Sequence, residues 1–179
     1  MKKLTSLLSI FAIVLLMTSV AFAQDEEAQA TDFYFEDENG PVFYITFPET
    51  WTGEWQEVEG ASVLHALPKD ESLYISIVAV HDAKDFKSAA EMIDAILAEV
   101  VTDYSFSDPQ AGTLNDIPVQ MSESKAKLKE GGEETELGLM FFTPKENANY
   151  ILYSIGSKEA QAAHKDEIDA IFSSLRTKE

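Results

Sequence analysis

"FYITFPETW", residues 43–51, is the stretch that decides how this chain folds. Phe43, Ile45 and Phe47 share one face of an extended segment and Tyr44 and Thr46 the other, because successive side chains of a strand point to opposite sides. Pro48 lacks the N–H that a sheet ladder needs, so the strand ends there. Trp51 follows at once, placed for its ring to fold back over the sheet edge, where an aromatic side chain contributes a large apolar burial.

Working outward, "DFYFEDENGPVFYITF" (32–47) sets two aromatic runs on either side of Asn39-Gly40. That dipeptide favours a type I′ turn, so the spacing predicts a hairpin. Trp55 lies in the next extended piece, Glu54 to Val58. "ASVLHAL" (61–67) and "SLYISIVAV" (72–80) flank a turn at Pro68 to Glu71. In the second of these, Leu73, Ile75, Ile77 and Ala79 line one face, and Tyr74, Val78 and Val80 put apolar bulk on the other. A strand apolar on both faces is central and covered on both sides.

A helix is predicted next. Ser88 and Glu91 form an S-x-x-E cap, and Ala89, Met92, Ile93, Ile96, Leu97 and Val100 recur at helical spacing. Strand-like pieces follow near Tyr104 to Phe106 and Ala111 to Leu114, then a turn, "NDIP" (115–118). "VQMSESKAKLK" (119–129) is polar on both faces in its later half and reads as an edge strand or a hairpin arm, closed by Gly131-Gly132. "ELGLMFFT" (136–143) and "NYILYSIG" (149–156) are the last strands. Lys158 to Leu175 reads as a closing helix with the stripe Ala160, His164, Ile168, Ile171, Phe172 and Leu175. Short turns join only antiparallel neighbours. The pattern is therefore an α+β fold, a single antiparallel β-sheet flanked by two amphipathic helices.

The N-terminus predicts export. Lys2 and Lys3 precede an apolar run from Ile10 to Met17, and Ala21-Phe22-Ala23 offers a small-x-small cleavage site, so residues 1–23 read as a signal peptide. The run is short of the roughly 20 residues that span a bilayer. No cysteine occurs anywhere, which excludes both a lipidated N-terminus and disulfides. Residues 24–31 read as a disordered acidic leader, and 32–176 as one domain. Lys2 and Lys3 are the only charges in the signal, so cleavage takes the net charge from −19 to −21. Such a surface repels nucleic acid and anionic lipid. The product is expected in the periplasm or the medium, without membrane insertion after cleavage.

"ITFPETW" (45–51) resembles the strand–Pro–x–x–Trp signature of the PsbP/DcrB-like superfamily. "YILYSIGSKEAQAAHKDEIDAIFSSLR" (150–176) resembles its closing strand and helix, and "LNDIPV" (114–119) its short strand, turn and long strand. The resemblance spans roughly 33–175. One departure is Asn115-Asp116, where relatives often carry glycine; asparagine also tolerates the left-handed region. The resemblance implies an α/β/α sandwich whose characterised members act mostly as accessory or binding proteins. It transfers no functional residue.

No G-x-S-x-G, P-loop, H-E-x-x-H or C-x-x-C occurs. No catalytic, cofactor or metal residue is assigned, and no cofactor. With His65 facing about Tyr74 across the 61–80 hairpin, His81 lies on the order of 23 Å away, too far to share a metal. Asp82/Asp85 and Asp103/Asp108 lack the ligand rhythm of a calcium loop. Trp51 reads as core. Trp55, among Glu54, Gln56, Glu57 and Glu59, is the candidate partner contact. His164, inside an apolar stripe, is the candidate pH-sensitive residue: buried without an acid nearby it would stay neutral, and acidification would loosen its helix. The function expected is a non-catalytic binding or accessory module of the bacterial cell envelope, its partner another envelope or secreted protein. Two alternatives stand beside it. One is a carrier holding a small apolar ligand between sheet and helix, near Phe141, Phe142 and Phe172. The other is a hydrolase with a site assembled in space around one histidine.

Overall fold

The computed structural model describes residues 30–37, 40–58 and 61–177. The signal peptide (1–23) and nearly all of the leader (24–31) lie outside them. So do residues 38–39, which include Asn39 of the predicted turn, and residues 59–60.

Thr31–Asp37 (β1) and Gly40–Phe47 (β2) form the predicted antiparallel hairpin, with Phe33 opposite Ile45 and Phe35 opposite Phe43. It stands apart as a two-stranded sheet. The larger sheet is built from Trp51–Val58 (β3), Ala61–Pro68 (β4), Leu73–Ala79 (β5), Val101–Thr102 (β6), Gln110–Leu114 (β7), Ile117–Leu128 (β8), Glu134–Lys145 (β9) and Ala148–Gly156 (β10). Its order is β3-β4-β5-β10-β9-β8-β6, all antiparallel, with β7 also on β8.

The expectation of one sheet is thus corrected. The hairpin does not extend the large sheet edge to edge but lies across its face. Phe43 and Phe35 stack at 4.6 Å, and Phe43 meets the rings of Phe142 and Tyr150 edge-on at 5.1 and 4.7 Å. Laying the aromatic face down buries Phe43, Ile45 and Phe47 to 1% exposure or less, which edge pairing would not achieve. The chain's end closes this layer: Tyr44 and Arg176 exchange backbone hydrogen bonds of 2.8 and 3.0 Å.

Phe86–Val100 (α1) packs on the opposite face of the large sheet, burying Phe86, Ala89, Ile93 and Leu97 against Val63, Val78, Ile151 and Phe141. Met92 and Val100, predicted on its apolar stripe, are exposed. Its cap also differs from expectation. Asp85 accepts from the Ser88 backbone N–H at 2.8 Å, and the Ser88 hydroxyl accepts from the Asp85 N–H at 3.1 Å. Ser88 is therefore the third residue of a capping box, not the cap itself.

The predicted closing helix is two helices, Lys158–Ala163 (α2) and Lys165–Ser173 (α3), divided at His164. The described chain thus has three helices, not two. The break falls where both nitrogens of the His164 ring are held by carboxylates, so the residue serves the tertiary contact rather than the helix.

β5, between β4 and β10, is covered on both faces as expected. β8 is not a free edge: β7 covers one end of its outer side and β6 the other. Leu114 pairs with Ile117 around Asn115 and Asp116, whose φ values of 46° and 65° are left-handed. Asparagine and aspartate thus do here what glycine does elsewhere. The Asn115 amide also donates to the carbonyls of Ser173 and Leu175 at 2.7 and 2.8 Å, tying the turn to the end of α3.

Candidate functional site

Alternation along β8, β9 and β10 sets three side-chain rows on the face toward α2 and α3. Met121, Met140 and Leu152 stand in register; Glu123, Gly138 and Ser154 form the next row; Lys125, Glu136 and Gly156 the third. The helix pair does not lie flat over these rows. Ala160, Ile171 and Leu175 seat it on the core, while Lys158, Gln161, Ala162, Lys165, Ile168 and Phe172 form a wall. Between wall and floor runs an open groove of about 610 Å³.

Gly138 keeps the floor low, since a Cβ there would stand 2.8 Å from the Ser154 hydroxyl. Ser154 is 9% exposed, and among the described residues its hydroxyl has no hydrogen-bond partner. The groove's lysines and acids balance, and one pair, Lys165 with Asp169, is already joined. This differs from the enclosed apolar cavity that a carrier near Phe141, Phe142 and Phe172 would need. Phe141 belongs to the core under α1 and Phe142 to the core under the hairpin; only Phe172 lines the groove.

His164 lies on the other flank of the helix pair. Its Nδ1 faces Glu167 Oε2 at 2.6 Å and its Nε2 faces Asp70 Oδ2, from the β4–β5 turn, at 3.1 Å. Glu167 also accepts from the Thr50 hydroxyl at 2.6 Å and from the Trp51 indole N–H at 3.0 Å. The condition under which His164 would stay neutral is therefore not met. The Glu167 hydrogen bond raises its pKa, against a smaller lowering by desolvation, and Asp70 adds to the rise. Thr50 and then His164 hold Glu167 below the usual carboxylate range. Acidification through the histidine range strengthens this contact rather than loosening it.

Trp51 is 5% exposed and closes the core beside Phe47. Trp55 is 43% exposed, its ring edge-on to Phe35 at 4.5 Å. It lies on the edge strand β3, away from the groove.

A hydrolytic site would need a reachable nucleophile. The Ser76 hydroxyl does lie 3.1 Å from His65 Nδ1, and Glu54 pairs opposite His65 on β3. Sequence reasoning placed His65 opposite Tyr74; the register is two residues further, opposite Ser76. But the same ring nitrogen also meets the Tyr74 hydroxyl, and Ser76 is wholly buried. Burial lowers the His65 pKa, a smaller effect of Glu54 opposing. A buried serine in a Tyr–His–Ser network satisfies polar groups between strands and meets no substrate. His81 is five residues past Ser76, about 16 Å along the strand. Asp85 caps α1 and Asp103 pairs with Lys127 at 3.0 Å. Among the described residues no group of three or more His, Asp or Glu could hold a metal ion.

No protein-family model matches the sequence, and no curated protein matches it closely. Solved structures do match. The solution structure of cyanobacterial PsbP (CyanoP) from Synechocystis sp. PCC 6803 superposes with a TM-score of 0.54 at 12% identity, over 89% of this chain and 98% of that one. A crystal structure from Bacteroides thetaiotaomicron VPI-5482 gives 0.52 at 15% identity, over 84% of this chain and 49% of that one. The chain has a PsbP-like α+β fold. Identities this low speak for the fold alone.

Proposed function

We propose that the chain is an exported, non-catalytic binding or accessory module of the bacterial cell envelope that holds its ligand or partner in the groove between α2–α3 and the β8–β9–β10 floor. The observation that carries this reading is the groove's floor: a glycine that keeps it low beside a serine, 9% exposed overall, whose hydroxyl opens into the groove with no hydrogen-bond partner among the described residues. Among the described residues no buried side-chain oxygen or nitrogen lacks a partner, so the Ser154 hydroxyl is open to water at the base of the concavity, where a polar ligand atom can take the water's place. The PsbP-like fold supports a binding role over catalysis. Export rests on Lys2, Lys3, the 10–17 apolar run and Ala21-Phe22-Ala23.

The test is affinity capture from envelope extract at low and high salt, wild type against Ala162→Trp. Ala162 is exposed and lines the groove, so the indole obstructs it without disturbing the core. The reading predicts a bound component that the variant loses. Equal capture by both proteins, or catalytic turnover by the purified polypeptide, overturns it.

A further inference from the structure

The groove has a direction. Its first floor row is apolar: Met121, 37% exposed, is its open surface, while Met140 and Leu152 lie buried under Ile168 and Phe172 of the wall. About 13 Å further along β8, at roughly 3.3 Å per residue, stands Lys125, near Lys158 at the start of α2. Among the described residues neither lysine has a carboxylate within ion-pair distance, whereas Lys127 and Lys165 do. A second concavity of about 360 Å³ continues past this point. It shares Lys125, Glu136 and Lys158 with the groove and adds Glu134, Glu159 and the ion pair of Asp103 with Lys127. The order is therefore an apolar shelf with Ser154 beside it, then two unpaired lysines, then Glu134 and Glu159 in excess over a lysine, Lys127, that Asp103 already holds.

We infer that the groove takes a single-chain zwitterionic amphiphile, its apolar chain on the methionine shelf, its anionic group between Lys125 and Lys158, and its ammonium group beyond them at the glutamates; this rests on the groove being the binding site proposed above. A simple anion finds no net attraction, because Glu123, Glu136 and Asp169 balance the three lysines of the groove. A simple cation at the acids of the second concavity leaves Lys125 and Lys158 without an anion. Only a head carrying both signs in that order satisfies both ends, and mismatched heads leave unpaired charges that discriminate against them. The Ser154 hydroxyl is placed for a polar atom at the junction of chain and head. The volume lies within the roughly 300–1,000 Å³ of small-molecule sites, so the occupant is one molecule lifted from solution rather than a bilayer surface.

The experiment uses the chain without its signal peptide and dodecylphosphocholine below its micelle-forming concentration, with affinity by calorimetry and location by backbone amide shifts. Dodecyl phosphate, dodecyltrimethylammonium and dodecyl maltoside are the comparison probes. The inference predicts shifts centred on 121–125, 136–140 and 152–156. It also predicts that the zwitterion binds tighter than each comparison probe by about tenfold or more, the scale of one charge-assisted contact. Lys125→Gln with Lys158→Gln, both exposed positions, removes most of that preference. Dodecyl phosphate binding as tightly, shifts centred elsewhere, or sedimentation with phosphatidylethanolamine vesicles that Ala162→Trp leaves unchanged overturns the inference. If no probe binds while Ala162→Trp still abolishes capture from envelope extract, the headgroup assignment falls and the groove reading stands. If Ala162→Trp changes neither, both fall.

Discussion

The indole N–H of Trp51 donates to Glu167 across 3.0 Å, joining the first residue of β3 to the last helix. The same carboxylate takes the Thr50 hydroxyl and faces His164. Glu167→Ala leaves three polar groups without their partner at a largely covered site. The expected cost is about 1–3 kcal/mol of unfolding free energy, measured as a lower urea midpoint with an unchanged slope. Trp51→Phe removes one hydrogen bond and keeps the other two, so its cost through this network is smaller.

The charges facing His164 are Asp70 from the β4–β5 turn and Glu167 on its own helix; the ring of Trp51 lies edge-on at 6.1 Å. The His164 pKa is raised, so its stabilising contribution is full below the ordinary value of 6.5 and fades as pH rises through the higher folded value. Glu167 is lowered, so its contribution is full above its ordinary 4.5 and fades as pH falls through the lower folded value. The helix is held best between those limits. Denaturation midpoints taken from pH 4 to pH 9 are expected to decline above about 6.5 in the wild type, and His164→Gln is expected to flatten that decline. A wild-type protein that gains stability across the same rise would contradict the assignment.

The two tryptophans sit in opposite surroundings, 5% and 43% exposed. Trp55→Phe leaves emission from Trp51 alone, which is expected to be blue-shifted and poorly quenched by acrylamide. Trp51→Phe is expected to leave red-shifted, readily quenched emission from Trp55.

The hairpin's hold on the sheet depends on Phe43, fully buried among Phe35, Phe142 and Tyr150. Phe43→Ala is expected to cost about 3–5 kcal/mol. Tyr34→Ala, on the outer face of the same hairpin and 50% exposed, is expected to stay within about 0.5 kcal/mol. Urea unfolding of the pair separates burial from strand propensity.

The strands around Phe43 to Phe47 and Leu73 to Ala79 were legible because alternation and a terminating proline are local signals. The helix over 86–100 was legible from its stripe, although its cap was misassigned: Asp85 and Ser88 satisfy the same spacing rule that Ser88 and Glu91 suggested. That the hairpin forms its own layer is not a local property, since an aromatic face reads the same whether it packs on a helix or a sheet. The break at His164 depends on Asp70, 94 residues away in sequence. The groove was the least legible feature. Residues 119–129 read as polar on both faces in their later half, an edge strand or a hairpin arm, with no face marked as a floor. Only pairing with β9 and the tilt of the helix pair turn one face into a floor.

The most direct test of the account replaces methionine by its diazirine analogue and irradiates the protein in envelope preparations. Met121 and Met140 line the groove, while Met92 is exposed on α1, across the sheet. Covalent adducts at Met121 or Met140, with Met92 bare, are the predicted result. Adducts at Met92 with the groove methionines untouched would contradict the account.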